Sequence, residues 1–126
     1  MDERIRDFLG RLSILFRRSE VAYSNYLHKG ETLLYALVLK EINHEIRALL
    51  LKESHLLPKS YRKDAISLIE HIDIWWIRWD DHRRNNDHKL DDVFNFYNDS
   101  TFPRDSQERI EALYENNYDK NDNAIN

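Results

Sequence analysis

The run Asp80-Asp81-His82-Arg83-Arg84-Asn85-Asn86-Asp87-His88 concentrates ionisable groups immediately after Trp75, Trp76 and Trp79, the three tryptophans of the chain. Imidazoles exchange protons near neutral pH, and guanidinium groups hold anions through fixed forks of donors. A chemical site, if the chain has one, is therefore sought first in this run. His71, Arg78 and His82 are spaced to fall along one side of the preceding helix. Their plainer role is a partly buried polar stripe, with histidine tips satisfying carbonyls between packed helices. A second pattern, Glu41-Ile42-Asn43-His44, has the Glu-x-x-His spacing that puts two metal ligands on one inward helix face. A di-iron centre needs a second such motif on another helix, and the chain has none; Glu70 and Asp73 would leave the ligand set incomplete. Without cysteine there is neither a disulfide framework nor a thiolate zinc site. No cofactor is expected.

The elements that must position these residues read as helices. Tyr61, Ala65, Leu68, Ile69, Ile72, Trp75, Trp76 and Trp79 recur every three or four residues, the period of one helix face. This third helix, capped by Ser60, is expected to be the spine of the core. Leu90, Val93, Phe94 and Tyr97 suggest a fourth, capped by Asn86 or Asp87, so that the polar run becomes a turn between two helices. Upstream, apolar positions from Ile5 to Tyr26 describe one long helix ending near Gly30, with Asp2 as its cap. A second helix runs from about Glu31 to Glu53 and is stopped by Leu57-Pro58. Downstream, Asp105 and Glu108 imitate a capping box ahead of Ile110, Leu113 and Tyr114, a short fifth helix.

Only two glycines and two prolines are present, too few turn residues for a many-stranded sheet. The expectation is an all-α, four- to five-helix bundle, a single domain over residues 1–115, with a mobile polar tail over 116–126. A net charge of −4 leaves no basic footprint over the whole molecule, so contact with RNA must rest on local patches. The charged N-terminus is unlike a signal peptide, and no apolar run approaches the ~20 residues of a membrane span. A cytoplasmic protein with no membrane partner is expected.

Arg83 and His88 form an Arg-x4-His pair at the expected junction of the third and fourth helices. That pair and the helix order over residues 30–97 resemble the HEPN family, helical domains often found as prokaryotic ribonuclease toxins. In many members Asn follows the arginine directly, where this chain has Arg84. The resemblance implies metal-independent RNA cleavage with Arg83 and His88 as catalytic residues and two copies of the motif facing each other across a homodimer. In that role a neutral imidazole takes the proton of a ribose 2′-hydroxyl while the guanidinium holds the phosphate. Arg78, His82 and Arg84 are candidate binding residues beside the pair. Fainter still, Glu41, Glu45, Glu70 and Asp73 resemble the acidic pairs of helical nucleotide pyrophosphatases, with the first pair spaced one residue too far. The other reading is a non-enzymatic binding module, such as an immunity protein, antitoxin or adaptor. Its tryptophan-rich helix would then serve a protein partner.

Overall fold

The structure, a computed structural model, describes residues 3–98 and 100–117. Among the described residues are four α-helices, α1 (Glu3–His28), α2 (Leu33–Glu53), α3 (Arg62–Arg84) and α4 (Arg104–Asn117), and no strand longer than a single bridge. Helix α1 packs on α2 and α4, and α3 packs on the same two, so the four close into a ring. The all-α bundle expected from the periodicity is observed. Its core takes Phe8, Leu9, Leu12 and Phe16 from α1, Ile42, Ile46 and Leu50 from α2, Ala65, Leu68 and Ile72 from α3, and Ile110 and Leu113 from α4. Each set keeps the three- or four-residue spacing that places it on one helix face.

The break at Gly30 has a specific geometry. Gly30 and Glu31 both adopt positive φ, 91° and 51°, and the Glu31 N–H donates to the Tyr26 carbonyl at 2.9 Å. This bond reaches back five residues across a left-handed glycine, as in a Schellman motif, and it satisfies a carbonyl that the helix end leaves open. The α2 helix starts two residues later than expected because Glu31 is part of that turn. At the α2–α3 corner two 3₁₀ turns, Ser54–Leu56 and Lys59–Tyr61, flank Pro58. Ser60 lies within the second turn and is not the cap of α3; that position is Tyr61, with no side-chain capping bond.

The helix expected after Asn86 is absent. The described residues of 85–98 and 100–103 belong to no helix, and the short helix expected last is α4. The apolar spacing of Leu90, Val93, Phe94 and Tyr97 was real but misleading, for only Phe94 is buried while the other three are exposed. The backbone of this stretch serves α2 instead. Thr32 offers no side-chain cap, and the Leu33 and Leu34 N–H groups donate to the carbonyls of Asp92 (2.9 Å) and Leu90 (3.0 Å). The Phe94 N–H returns a bond to the Glu31 carbonyl at 2.8 Å, beside a Thr32–Val93 bridge. A helix over this stretch would turn those carbonyls inward and leave the first turn of α2 without acceptors. Asp87, Asp91, Asp92 and Asn95 are also weak helix formers. Helix α4 begins at Arg104, so Asp105 sits inside its first turn instead of capping it. It also extends past the expected end of the domain, to Asn117; the expected Asp2 cap and the tail beyond residue 117 lie outside the described residues.

Candidate functional site

Helix α3 delivers the candidate residues from its last turns. Trp79, 2% exposed, packs with Leu33, Ala36 and Phe94 in a small cluster beside the main core. Lys40 of α2 places its ammonium 4.2 Å from the Trp79 ring centroid and 2.8 Å from Asp80, which fixes the roll of α3 on α2. Trp75 and Trp76 are only half-buried. The burial of Trp79 sets it in the core and not on an open partner-binding face.

Below Trp79 the chain gathers aromatic and imidazole rings. His82 lies 5.1 Å from His88 and 4.8 Å from Phe94 between ring centroids, and His88 lies 5.0 Å from Phe94. Phe96 completes the group, 5.8 Å from His82. The loop is held there by its bonds to α2 and by the Tyr26 hydroxyl, which donates to the Phe94 carbonyl. Burial, with help from Glu31 and Tyr23, pushes the Tyr26 hydroxyl up to about 12, so it stays a donor at neutral pH. Two buried polar atoms among the described residues have no hydrogen-bond partner, Trp79 Nε1 and His88 Nδ1. Both belong to this cluster.

The five sequence candidates thus divide. His82 and His88 are brought together ring against ring. Arg83 is half-buried in the last turn of α3 and takes no part in the ring contacts. Arg84 is exposed, with its guanidinium 3.7 Å from Asp81, and Arg78 is exposed one turn earlier. Asn86 donates to the His82 carbonyl at 3.0 Å and closes the end of the helix. The proposed stripe of His71, Arg78 and His82 is not continuous, because His71 turns to Ser100 (3.1 Å) and to Phe102, with the two rings perpendicular and 5.2 Å apart.

Glu45 and Asp73, two of the four carboxylates in the acidic patterns, are engaged in ion pairs. Glu45 pairs with Arg18 at 2.9 Å, Asp73 with Arg47 at 2.6 Å, and His44 meets the edge of Trp76 at 5.0 Å. Among the described residues no group of three His, Asp or Glu side chains could hold a metal ion. No described helix is long and apolar enough to cross a membrane.

Sequence reading missed a cavity of about 580 Å³ on the other side of Phe94. Tyr23 and Tyr26 of α1, Trp75 of α3, and Phe94, Phe96 and Phe102 of the loop contribute to its walls, with Glu20, Glu31, Glu108 and Glu111 around them. Its residues come from all four helices and the loop, so no local spacing announces it. The only sequence signal is the density of aromatics in the stretch after His88. No family model, curated protein or solved structure matches this chain.

Proposed function

We propose that the chain is a HEPN-like, metal-independent endoribonuclease whose site is the end of α3 and the loop that follows. His88 takes the proton of a ribose 2′-hydroxyl, and the 2′-oxygen attacks the adjacent phosphorus. The phosphorus–5′-oxygen bond breaks, leaving a 2′,3′-cyclic phosphate and a 5′-hydroxyl that must regain a proton. His82 is the neighbour able to supply it. Arg83 holds the phosphate as charge develops, with Arg78 and Arg84 on the same end of the helix to draw in the backbone. The observation that supports this reading is the imidazole pair, 5.1 Å apart, formed by His88 of the loop and His82 of a helix end that also carries Arg83 and Arg84.

The test is incubation of the purified protein with total RNA in chelator, beside Arg83→Ala and His88→Ala. Cleavage that persists in chelator, leaves cyclic phosphate ends and is lost in both variants supports the reading. Intact RNA with no partner protein bound overturns it.

A second reading, a protein-binding module, is favoured by the outer face of α3, where Ile66, Ile74 and Ile77 are 57%, 42% and 67% exposed. Apolar side chains repeated along one outward helix face suit a protein partner. A protein that leaves RNA intact, and whose partner is lost in Ile77→Glu with an unchanged melting temperature, would fit this reading.

A further inference from the structure

We propose that the cavity bounded by the four helices and by Phe94, Phe96 and Phe102 of the loop binds a small amphipathic organic cation, an ammonium joined to an apolar body. The volume, about 580 Å³, lies within the range of small-molecule pockets. Aromatic side chains dominate its apolar lining, and the faces of such rings attract ammonium groups through the ring quadrupole. The molecule already uses this interaction next door, where the Lys40 ammonium sits over Trp79.

The charge around the cavity is predominantly negative. Glu20, Glu31, Glu108 and Glu111 line it, against a single guanidinium from Arg104. Of these carboxylates Glu20 meets Arg17 at 3.2 Å on the exposed side of α1. Glu31 accepts from the Asn95 amide at 3.3 Å, and Glu20 and Glu111 both accept from the Gln107 amide, at 3.2 and 3.1 Å. Burial first, and then the neighbouring Glu20, Glu115 and Glu108, raise the Glu111 carboxyl above its ordinary range. A bound cation would relieve that crowding. Burial also pushes the His71 imidazole in the wall below its ordinary 6.5, so it adds no positive charge at neutral pH. An anion, including the phosphate backbone of RNA, meets the wrong field here.

Trp79 also borders the cavity and is almost fully buried, its indole N–H enclosed by its neighbours, so its resonance reports on a ligand packed against the ring. The ammonium belongs toward the glutamates and the apolar body toward the aromatic side chains. The site stands whether or not the end of α3 cleaves RNA, although Phe94 borders both.

The experiment uses benzoylcholine and its uncharged carbon isostere, 3,3-dimethylbutyl benzoate. Binding to ¹⁵N-labelled full-length protein is followed by the indole N–H resonances, with Glu108→Gln/Glu111→Gln as the comparison variant. Benzoylcholine should move the Trp79 indole resonance and bind at least ten-fold more tightly than the isostere. The glutamine variant should lose several-fold in affinity at an unchanged melting temperature, and affinity should fall as salt is raised. Equal binding of the isostere, wild-type affinity in the glutamine variant, or no shift at millimolar benzoylcholine would each overturn the proposal. RNA cleavage by the same preparations is scored separately, so the two sites succeed or fail apart.

Discussion

The two ends of α3 handle buried polarity in opposite ways. At the N-terminal end Asp64, 5% exposed, accepts from the Ser106 hydroxyl at 3.0 Å and from Arg109 Nε at 3.0 Å. It lies in the first turn of the helix, where the dipole favours an anion, and the Arg109 guanidinium rests 5.1 Å over the Tyr61 ring. Both of its carboxylate oxygens have partners. At the C-terminal end Trp79 Nε1 and His88 Nδ1 are buried without one. The satisfied carboxylate ties α3 to α4, whereas an unsatisfied buried donor or acceptor is a cost that calls for an explanation. The contrast directs functional attention to the C-terminal end, where Arg83 and His88 also lie.

The largest effects should come from that end. Arg83→Ala and His88→Ala are each expected to lower RNA cleavage ~10²–10⁴-fold, the range of general acid–base and electrostatic contributions. Their melting temperatures should stay close to wild type, which circular dichroism would check. A variant that melts early and cleaves normally would make the two ends alike, both structural.

Next, Trp79→Ala should cost ~3–5 kcal/mol in urea unfolding, since the ring fills the cluster between α2, α3 and the loop. Trp79→Phe should cost clearly less, because it keeps an aromatic body while deleting the unpartnered N–H. Equal losses in the two variants would mean that the indole N–H is satisfied in solution.

At the closed end, Asp64→Ala should cost roughly 1–3 kcal/mol by stranding the buried Ser106 hydroxyl. Because the damage falls on the α3–α4 contact, hydrogen exchange should rise in α4 before α2. Uniform loosening of the bundle would remove the special role of this pair.

The smallest effect is a pH dependence from His71. Burial holds its imidazole below the ordinary 6.5, so the unfolded chain takes up the proton first as the solution is acidified. Stability is therefore full above about 6.5 and declines as pH falls from there toward the folded value. The slope must stay below ~1.4 kcal/mol per pH unit, the limit for one proton, and partial exposure reduces it further. Subtracting the pH profile of His71→Gln from that of wild type isolates the contribution. Parallel profiles would show that His71 is as well solvated folded as unfolded.

The primary structure alone determined the helices and their inward faces. Phe8, Leu12 and Phe16, or Leu68, Ile72 and Trp79, repeat with the helix period over many turns, and that repeat marks the side of each helix that packs inward. Gly30 and Pro58 marked chain reversals because their backbone preferences act locally. The stretch at residues 85–103 was decided elsewhere. Its apolar spacing fits a helix, yet its carbonyls are claimed by the first turn of α2, some 60 residues earlier in the chain, and no local pattern records that demand. The same holds for the site. The sequence could place Arg83 and His88 five residues apart, but the pairing of His82 with His88 follows from where Phe94 is anchored. The aromatic cavity exists because all four helices and that loop converge. Helix periodicity is a short-range property carried by neighbouring residues, whereas the partners of a buried polar atom are chosen by whichever distant segment reaches it first in the packed chain.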